Sequence, residues 1–479
     1  ELVQQSLWAP STLELYGEFY RRLAEAMGDH VHFVRIAMPA EYGEIGYPMG
    51  MTTWLVPDDS AETAFWCGDP YARRDFTDRM RDRLESLDAI NAAWGTGYAS
   101  WDAVSPPEDP YSLAAAAQAG PGHERRRWLD FVDWYQSSWT RFAADATRVV
   151  RDRLPGRELI LSLGYGGEPV PWGNDQSRHI KMMAEVSATC QSPGDIGYFA
   201  TRRVSSACRH YGVPYYTEPP GTVDRNREVA RMFFDASNGT DTWFDYPQNL
   251  DVARDLFARY KEHLTGADPV CDVAFILPSA WWWCRMDWNW PHRTIEVANS
   301  LRDRMDYEII DELMIRDGAL ENLGIRVAVL CEGDFMDQRT LDSLARWTEE
   351  GGRLVIMGQE ELTSSGGGEH PAFDSLPADA SAANLGEGAI VNVGAQGLGG
   401  ILGLVYAGDE GAPRVDDEAD GILATLLPDR ILYYNPTGEY RVKHVELAPE
   451  DFPDGSPRPE KWVWDLELPA HSIAAIPLA

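Results

Sequence analysis

The chain has 479 residues, of which 44% are hydrophobic and 25% charged, so its composition excludes a disordered or fibrous protein. Acidic residues outnumber basic ones by 76 to 42, and the formal charge of −34 disfavours nucleic acid and anionic membrane surfaces as partners. The six cysteines are irregularly spaced, which predicts buried free thiols rather than a disulfide framework or a zinc site.

The first region, residues 1–265, alternates between strand and helix patterns, which predicts a parallel sheet joined by crossover helices. We predict strands at residues 32–38, 159–163, 189–192, 213–217 and 242–246. We predict helices at residues 13–27, 75–94, 124–153, 175–185, 201–211 and 225–236. Polar and aromatic residues follow the strands, as they do at the active-site edge of a (β/α) barrel.

Two further domains are expected after this region. Residues 266–375 repeat the alternation more compactly, which predicts a small doubly wound, flavodoxin-like α/β domain. Residues 376–479 combine a connector rich in Gly, Ala, Ser and Asp with strand patterns at 431–435, 442–447, 461–466 and 471–477. The turns between these strands predict a small antiparallel β-domain.

Glu218 is the sharpest candidate for catalysis. It follows a predicted strand and precedes Pro219, which restricts Glu218 to an extended backbone. Its carboxyl group is therefore expected at the carboxyl end of a strand, where a nucleophile would be needed. A salt-bridged glutamate at a barrel rim explains the same position equally well.

Glu41 and Glu44 lie in a loop of Gly, Tyr and Pro residues after the first predicted strand. Glycoside hydrolysis uses two carboxyl groups: one protonates the leaving oxygen, and the other attacks the anomeric carbon or activates water. Either glutamate can be the partner of Glu218, and their spacing alone leaves the choice open.

Aromatic and polar residues near the predicted strand ends are candidates for binding a sugar, because flat rings and a few polar groups line such sites. These candidates are Tyr42, Trp66, Tyr165, Glu168, Trp172, Tyr198, Tyr216, Trp243 and Asp245. Each one alone is more often a packing residue. Only their convergence on one face favours a polyhydroxylated ligand.

Residues 90–101, INAAWGTGYASW, resemble the LN-x-x-WGT-x-Y-x-SW signature of family 42 glycoside hydrolases, the β-galactosidase group of clan A. Residues 215–221 resemble the segment of that family that carries the nucleophile after strand seven. The resemblance implies a (β/α)8 barrel, a retaining mechanism and Glu218 as nucleophile. It also implies an amidotransferase-like trimerisation domain, a small C-terminal β-domain and a homo-oligomer, either a trimer or a dimer.

The loop around Glu44 departs from this family. Clan A enzymes usually have Asn before the acid/base, whereas Ala40 precedes Glu41 and Gly43 precedes Glu44. Residues 43–48, GEIGYP, resemble instead the GELRYP loop of β-amylases, which carries their general acid. This second resemblance favours Glu44 over Glu41 as the acid/base.

The number of strands also departs from a complete barrel. If residues 32–38 are strand four, residues 242–246 are strand eight, and strands one to three are absent from this sequence. A five-stranded barrel would leave open edges, so we expect either a longer polypeptide or a partner chain to supply the remainder, and we favour the former.

The leading hypothesis is a retaining glycoside hydrolase that removes a terminal glycosyl residue without a metal or cofactor. The alternatives are an inverting hydrolase of the β-amylase type and a catalytically inactive sugar-binding protein. A cytoplasmic location follows from the cysteine usage and the absence of an N-terminal signal pattern.

Overall fold

The computed structural model describes residues 5–38, 43–47, 65–164, 170–194, 197–219, 221–240, 242–264, 266–286, 292–394, 397, 399–401, 420–447 and 462–478. Its first sheet has five parallel strands in chain order: β1 (Phe33–Arg35), β2 (Glu158–Ser162), β3 (Thr189–Pro193), β4 (Tyr215–Glu218) and β5 (Thr242–Trp243). Within the described residues β1 and β5 form its edges. The expected parallel sheet is confirmed, and its closure into an eight-stranded barrel stays a prediction.

Helices connect and cover these strands: α1 (Pro10–Met27), α2 (Pro70–Leu84), α3 (Leu87–Trp94), α4 (Pro110–Ala119), α5 (His123–Arg153), α6 (Gln176–Glu185), α7 (Tyr198–Tyr211), α8 (Arg225–Ser237) and α9 (Leu250–Tyr260). The single helix predicted at residues 75–94 is two helices. Glu85 ends α2 with a φ of 62°, and the Ser86 side chain caps α3 by accepting a hydrogen bond from Ala89 N. α4 and α9 are additional to the predicted helices.

The WGT motif joins α3 to the long, aromatic-rich helix α5. Trp94 Nε1 donates a hydrogen bond to Asp130 Oδ2 in α5 at 2.9 Å. Gly95 ends α3 in the left-handed conformation, and a side chain there would lie 2.8 Å from the His123 ring. The motif therefore stabilises the contact between two helices and supplies no reacting group.

Side chains alternate between two faces of the first sheet. One face is buried against helices and carries Val34, Leu159, Leu161, Cys190 and Tyr215. The other, here called the polar face, carries Arg35, Glu158, Ser162, Gln191, Tyr216 and Glu218, which the strand register places on the same side. Because the strands are parallel, their carboxyl ends meet at one edge, here called the carboxyl edge.

The second sheet has six strands: β6 (Val273–Leu277), β7 (Glu308–Asp311), β8 (Val327–Leu330), β10 (Arg353–Ile356), β12 (Ser381–Leu385) and β13 (Gly388–Asn392). Their spatial order is β12-β13-β10-β8-β6-β7, and all pair in parallel except β12. It packs with α10 (Ser279–Arg285), α11 (His292–Leu301), α12 (Glu312–Arg316), α13 (Ala319–Asn322) and α14 (Gln338–Glu349). β12 and β13 lie in the predicted connector, so the sheet continues past residue 375.

The remaining strands are short or antiparallel. β9 (Phe335–Met336) pairs with β11 (Thr363–Ser364). β14 (Leu423–Leu427), β15 (Arg430–Asn435) and β18 (Ser472–Pro477) form one antiparallel sheet, and β16 (Arg441–Leu447) and β17 (Trp462–Leu468) form another. A search of the described helices for a segment both long and apolar enough to span a bilayer finds none.

A buried ion-pair network joins α7 to the second sheet. Arg202 Nη2 lies 2.9 Å from Asp306 Oδ2, and Thr425 Oγ1 donates to the same oxygen at 2.9 Å. Burial would raise the pKa of Asp306, but Arg202 and Arg302 outweigh that effect and lower the pKa. Asp306 is therefore ionised and paired, with its side chain almost fully buried.

We expect Asp306→Asn to lower the free energy of unfolding by about 3–5 kcal/mol, because it removes the charge that two buried guanidinium groups, those of Arg202 and Arg302, share. Because the native pKa of Asp306 is lowered, its contribution to stability is full above the unfolded pKa and is lost as the pH falls. Urea unfolding at neutral pH measures the effect.

Asp429→Asn is the control. Asp429 is half exposed and pairs with Arg430, so its loss should lower the free energy of unfolding by no more than about 1 kcal/mol. Equal losses in the two variants would contradict the argument.

Candidate active site

Glu218 ends β4 at the carboxyl edge, on the polar face and half-buried. Gln191 Nε2, from the neighbouring strand β3, donates a hydrogen bond to Glu218 Oε2 at 2.9 Å. Burial raises the pKa of Glu218, while the positive charges of Arg35 and Arg231 lower it in part. The site thus holds a partly desolvated carboxyl group beside an oriented donor.

Glu44 lies on a short segment, residues 43–47, that passes along the carboxyl end of β2. Ile45 N donates to Ser162 O at 2.9 Å, and Ile45 forms a parallel bridge with Leu163. The Glu44 carboxyl group rests directly on Gly164, where a Cβ atom would lie 2.6 Å from Glu44 Oε2. A glycine after β2 therefore leaves the space that this carboxyl group occupies.

Tyr246 connects the two glutamates. Burial raises the pKa of its phenol; the charge of Glu218 raises it further, Arg35 lowers it, and Glu44 again raises it. One hydroxyl group thus experiences both carboxylates and the guanidinium. Arg35 and Glu218 end β1 and β4, Tyr246 follows β5, and Glu44 lies against Gly164 after β2, so all four lie at the carboxyl edge.

We expect Gly164→Ala to reduce activity without loss of folding. The new methyl group displaces the Glu44 carboxyl group, and a displacement of about 1 Å in a reacting group can cost up to about 100-fold in rate. The kcat/KM for a glycoside with a poor leaving group and the melting temperature measure the two effects. Gly97→Ala is the matched control, because an added Cβ there meets no atom within 4 Å. A normal rate in Gly164→Ala would show that the position of Glu44 is unimportant.

The structure describes three other predicted site residues. Tyr216 is on the polar face two residues before Glu218, and its hydroxyl donates to Glu158 Oε1 at 2.5 Å. Trp172 is half-buried, and its carbonyl oxygen accepts a hydrogen bond from Tyr47 N, the last residue of the segment that carries Glu44. Trp66 is half-buried and its amide donates to the Tyr135 hydroxyl. Glu41, Tyr42, Tyr165 and Glu168 lie outside the described residues.

The structure does not bring Tyr198, Trp243 or Asp245 to the polar face. Tyr198 is buried at the start of α7 and its hydroxyl donates to Asp306, so it belongs to the contact with the second sheet. Trp243 pairs in register with Thr217, which places it on the opposite face. Asp245 accepts from Asn249 Nδ2 at 2.8 Å, and its side chain is 7% exposed. These contacts place the three side chains away from the polar face, and sugar binding at these positions stays a prediction.

Sequence reasoning missed Arg35, Ser162, Gln191 and Tyr246 as site residues. A charged residue inside the apolar run HFVRIAM was the available signal for Arg35. Ser162 and Gln191 are polar residues inside buried strands, where an unpaired polar group is costly. A search of the described residues for a cluster of side chains able to hold a metal ion finds none.

Residues 3–151 match the model of Glycosyl hydrolase family 14. The matched part includes Glu44 and just under a third of the chain. The predicted resemblance to glycoside hydrolases is confirmed. A thermophilic β-amylase from Thermoanaerobacterium thermosulfurigenes is 26% identical over 148 residues, covering 30% of this chain and 25% of the relative. A β-amylase from Niallia circulans is 35% identical over 97 residues, covering 20% of this chain and 16% of the relative.

Solved glycoside hydrolases share the fold over nearly the whole chain. The β-galactosidase from Bacillus circulans sp. alkalophilus has a TM-score of 0.69 at 12% identity, covering 99% of this chain and 83% of that one. The β-galactosidase from Halorubrum lacusprofundi has a TM-score of 0.67 at 14% identity, covering 99% and 84%. Identities this low establish the fold, and the chain spans a quarter or less of the two β-amylases above.

Proposed function

We propose that the protein is a retaining glycoside hydrolase that removes a terminal glycosyl residue, with Glu44 as acid/base and Glu218 as nucleophile. The observation that carries this proposal is the placement of two carboxyl groups at the carboxyl edge: Glu218 ends β4, and the Glu44 carboxyl group lies against Gly164 just after β2. Two carboxyl groups around one anomeric carbon are the minimal machinery for cleaving a glycosidic bond. The shared fold with β-galactosidases suggests a β-galactoside-like substrate.

In the first step Glu44 gives its proton to the glycosidic oxygen while the bond from that oxygen to the anomeric carbon breaks. A carboxylate oxygen of Glu218 forms a bond to the anomeric carbon, giving a glycosyl ester and the free alcohol. In the second step Glu44 takes a proton from water, whose oxygen attacks the anomeric carbon and releases Glu218. The product retains the configuration of the substrate.

Glu218 must be ionised to attack, and its surroundings act in opposite directions. Burial favours the neutral acid, whereas the Gln191 donor and the charges of Arg35 and Arg231 favour the carboxylate. Glu44 must carry a proton in the first step.

An inverting hydrolase of the β-amylase type is the second candidate, favoured by the family 14 match over the segment that holds Glu44. There Glu44 would again protonate the leaving oxygen, but Glu218 would act as a base that activates water. The carboxyl groups of inverting enzymes lie about 6.5–9.5 Å apart, against about 5–5.5 Å in retaining ones.

Proton NMR of the first-formed product separates the candidates. A nitrophenyl β-galactoside whose product initially has the β configuration supports the retaining proposal. Release of β-maltose from an α-glucan supports the inverting one. Sugar binding without turnover of either substrate would contradict both proposals and indicate an inactive sugar-binding protein. Assembly into a homo-oligomer stays a prediction, which light scattering tests.

A further inference from the structure

A chain of hydrogen bonds crosses four adjacent strands on the polar face and ends on Glu218. Arg35 Nε in β1 donates to Ser162 Oγ in β2 at 2.6 Å. Ser162 Oγ donates to Gln191 Oε1 in β3 at 3.0 Å. Gln191 Nε2 donates to Glu218 Oε2 in β4 at 2.9 Å. This series of hydrogen bonds therefore begins at a permanently charged guanidinium group and ends at the proposed nucleophile.

Arg35 fixes which atom donates and which accepts in each of these hydrogen bonds. A guanidinium group has only donors, so the Ser162 oxygen must accept and its own hydrogen is left for Gln191. The Gln191 carbonyl oxygen then faces Ser162, which turns the amide NH2 group towards Glu218. Reversing the amide would place an oxygen against the carboxylate. Each bond thus polarises the next in the same sense.

We infer that Arg35, Ser162 and Gln191 are positioning residues, which hold the Glu218 carboxylate ionised and oriented through a one-way hydrogen-bond relay. This inference rests on the proposed function of Glu218. The two central members are buried, with Ser162 2% and Gln191 6% exposed, so water does not compete for their hydrogen bonds. Only Arg35, at the start of the relay, is exposed.

Other charged and titratable groups also face Glu218. Arg231 in α8 acts in the same direction as Arg35 and lowers its pKa. Arg231 is itself surrounded by acids, with Glu228 at 3.3 Å and Asp235 at 3.6 Å, so part of its charge is already balanced. Tyr246, after β5, couples to Glu218, and Glu44 couples to Tyr246 from the segment after β1. Arg35 differs from Arg231 in having no ion pair among the described residues.

The variant Ser162→Ala distinguishes an effect of the hydrogen-bond relay from an effect of the Arg35 charge alone. It keeps Arg35 and its charge but removes the hydroxyl that orients Gln191. We expect the acid limb of the kcat/KM profile to move to higher pH by about 1 pH unit, because weaker hydrogen bonding to the carboxylate raises the pKa of Glu218. Arg35→Met should move it at least as far, and Ser162→Thr, which keeps the hydroxyl, should restore the original profile.

Ser192→Ala is the matched control. Ser192 is as buried as Ser162 but faces the other side of the sheet, where its hydroxyl bonds with Tyr215, so this variant should leave the profile in place. A shift in Arg35→Met without one in Ser162→Ala would overturn the relay and leave only a charge effect. An equal shift in Ser192→Ala would assign the effect to general loss of packing.

A second measurement does not depend on turnover. Infrared difference spectra between the protein and Glu218→Gln, recorded against pH, report the protonated carboxyl band that the variant lacks. In Ser162→Ala this band should persist to higher pH. An unchanged titration overturns the relay even in an active protein, whereas a shifted titration in a protein that hydrolyses no glycoside retains the relay and overturns the proposed function.

Discussion

Glu218→Gln should lower kcat/KM for nitrophenyl glycosides by at least about 10⁴-fold, because removing the group that forms the covalent intermediate abolishes the main pathway. The amide has nearly the same shape as the carboxyl group, but its oxygen is a poor nucleophile. Folding should be unaffected, since Glu218 is only half-buried and makes no ion pair within 4 Å among the described residues. Initial rates and a thermal melt of the same preparation measure both properties.

Glu158→Gln is a suitable control for this variant. Glu158 also lies on the polar face, but at the amino end of β2, away from the carboxyl edge. We expect kcat/KM of this variant to stay within about threefold of that of the unmodified protein, because substitutions of exposed residues away from the reacting groups have small effects. Near-normal hydrolysis by Glu218→Gln would remove Glu218 from the mechanism.

Azide rescue tests whether Glu218 acts at the anomeric carbon, and the NMR result then decides whether it acts as nucleophile or as base. In Glu218→Gly the deleted side chain leaves room for a small anion beside the anomeric carbon. If Glu218 is the nucleophile, azide should restore cleavage of an activated β-glycoside and give the α-glycosyl azide. If Glu218 is instead the base of an inverting enzyme that accepts the β-glycoside, azide gives the same α-glycosyl azide. In that case hydrolysis by the unmodified protein inverts the configuration at the anomeric carbon. The NMR experiment on the unmodified protein therefore has to accompany this test.

The strands of the first sheet were predictable where a short apolar or aromatic run precedes residues that stop regular structure, whereas β3, with the sequence TCQSP, has only a weak strand pattern. All five observed strands overlap the predicted ones, with ends that differ by a few residues. The break in the predicted helix at 75–94 was missed, since the helical periodicity continues past Ser86 and hides its capping role. β12 and β13 lie in a Gly- and Ala-rich stretch with weak strand patterns, which did not reveal that β13 pairs with β10 of the second sheet.

The candidate site was predictable only where it follows strand ends. Glu218 and Glu44 both come after apolar runs, so their convergence could be anticipated from parallel-sheet topology. Arg35, Ser162 and Gln191 lie within strands, and which side chains meet across strands depends on the register. A single sequence does not specify that register. Tyr198 was expected near a strand end, but its hydroxyl donates to Asp306 beside the second sheet, a contact that the sequence does not reveal.

Glu44→Gln should affect substrates according to their leaving groups. An acid/base assists departure of the glycosidic oxygen, which a dinitrophenolate hardly needs and an alkoxide needs strongly. We expect about a 10²- to 10⁴-fold loss for an alkyl glycoside or a disaccharide in the first step, the usual range for general acid catalysis. For a dinitrophenyl glycoside this first step should lose less than about tenfold, as measured from the burst of phenol release.

The paired variant Glu41→Gln decides between the two glutamates of the loop. Because the Glu44 carboxyl group rests on Gly164 at the carboxyl end of β2 and influences Tyr246, we expect the leaving-group dependence in Glu44→Gln alone. A residue that only binds a sugar hydroxyl should weaken all substrates by a similar factor, since its contact is the same in the ground state and in every transition state. A steep leaving-group dependence in Glu41→Gln, with a uniform loss in Glu44→Gln, would reverse the assignment while keeping Glu218 as its partner.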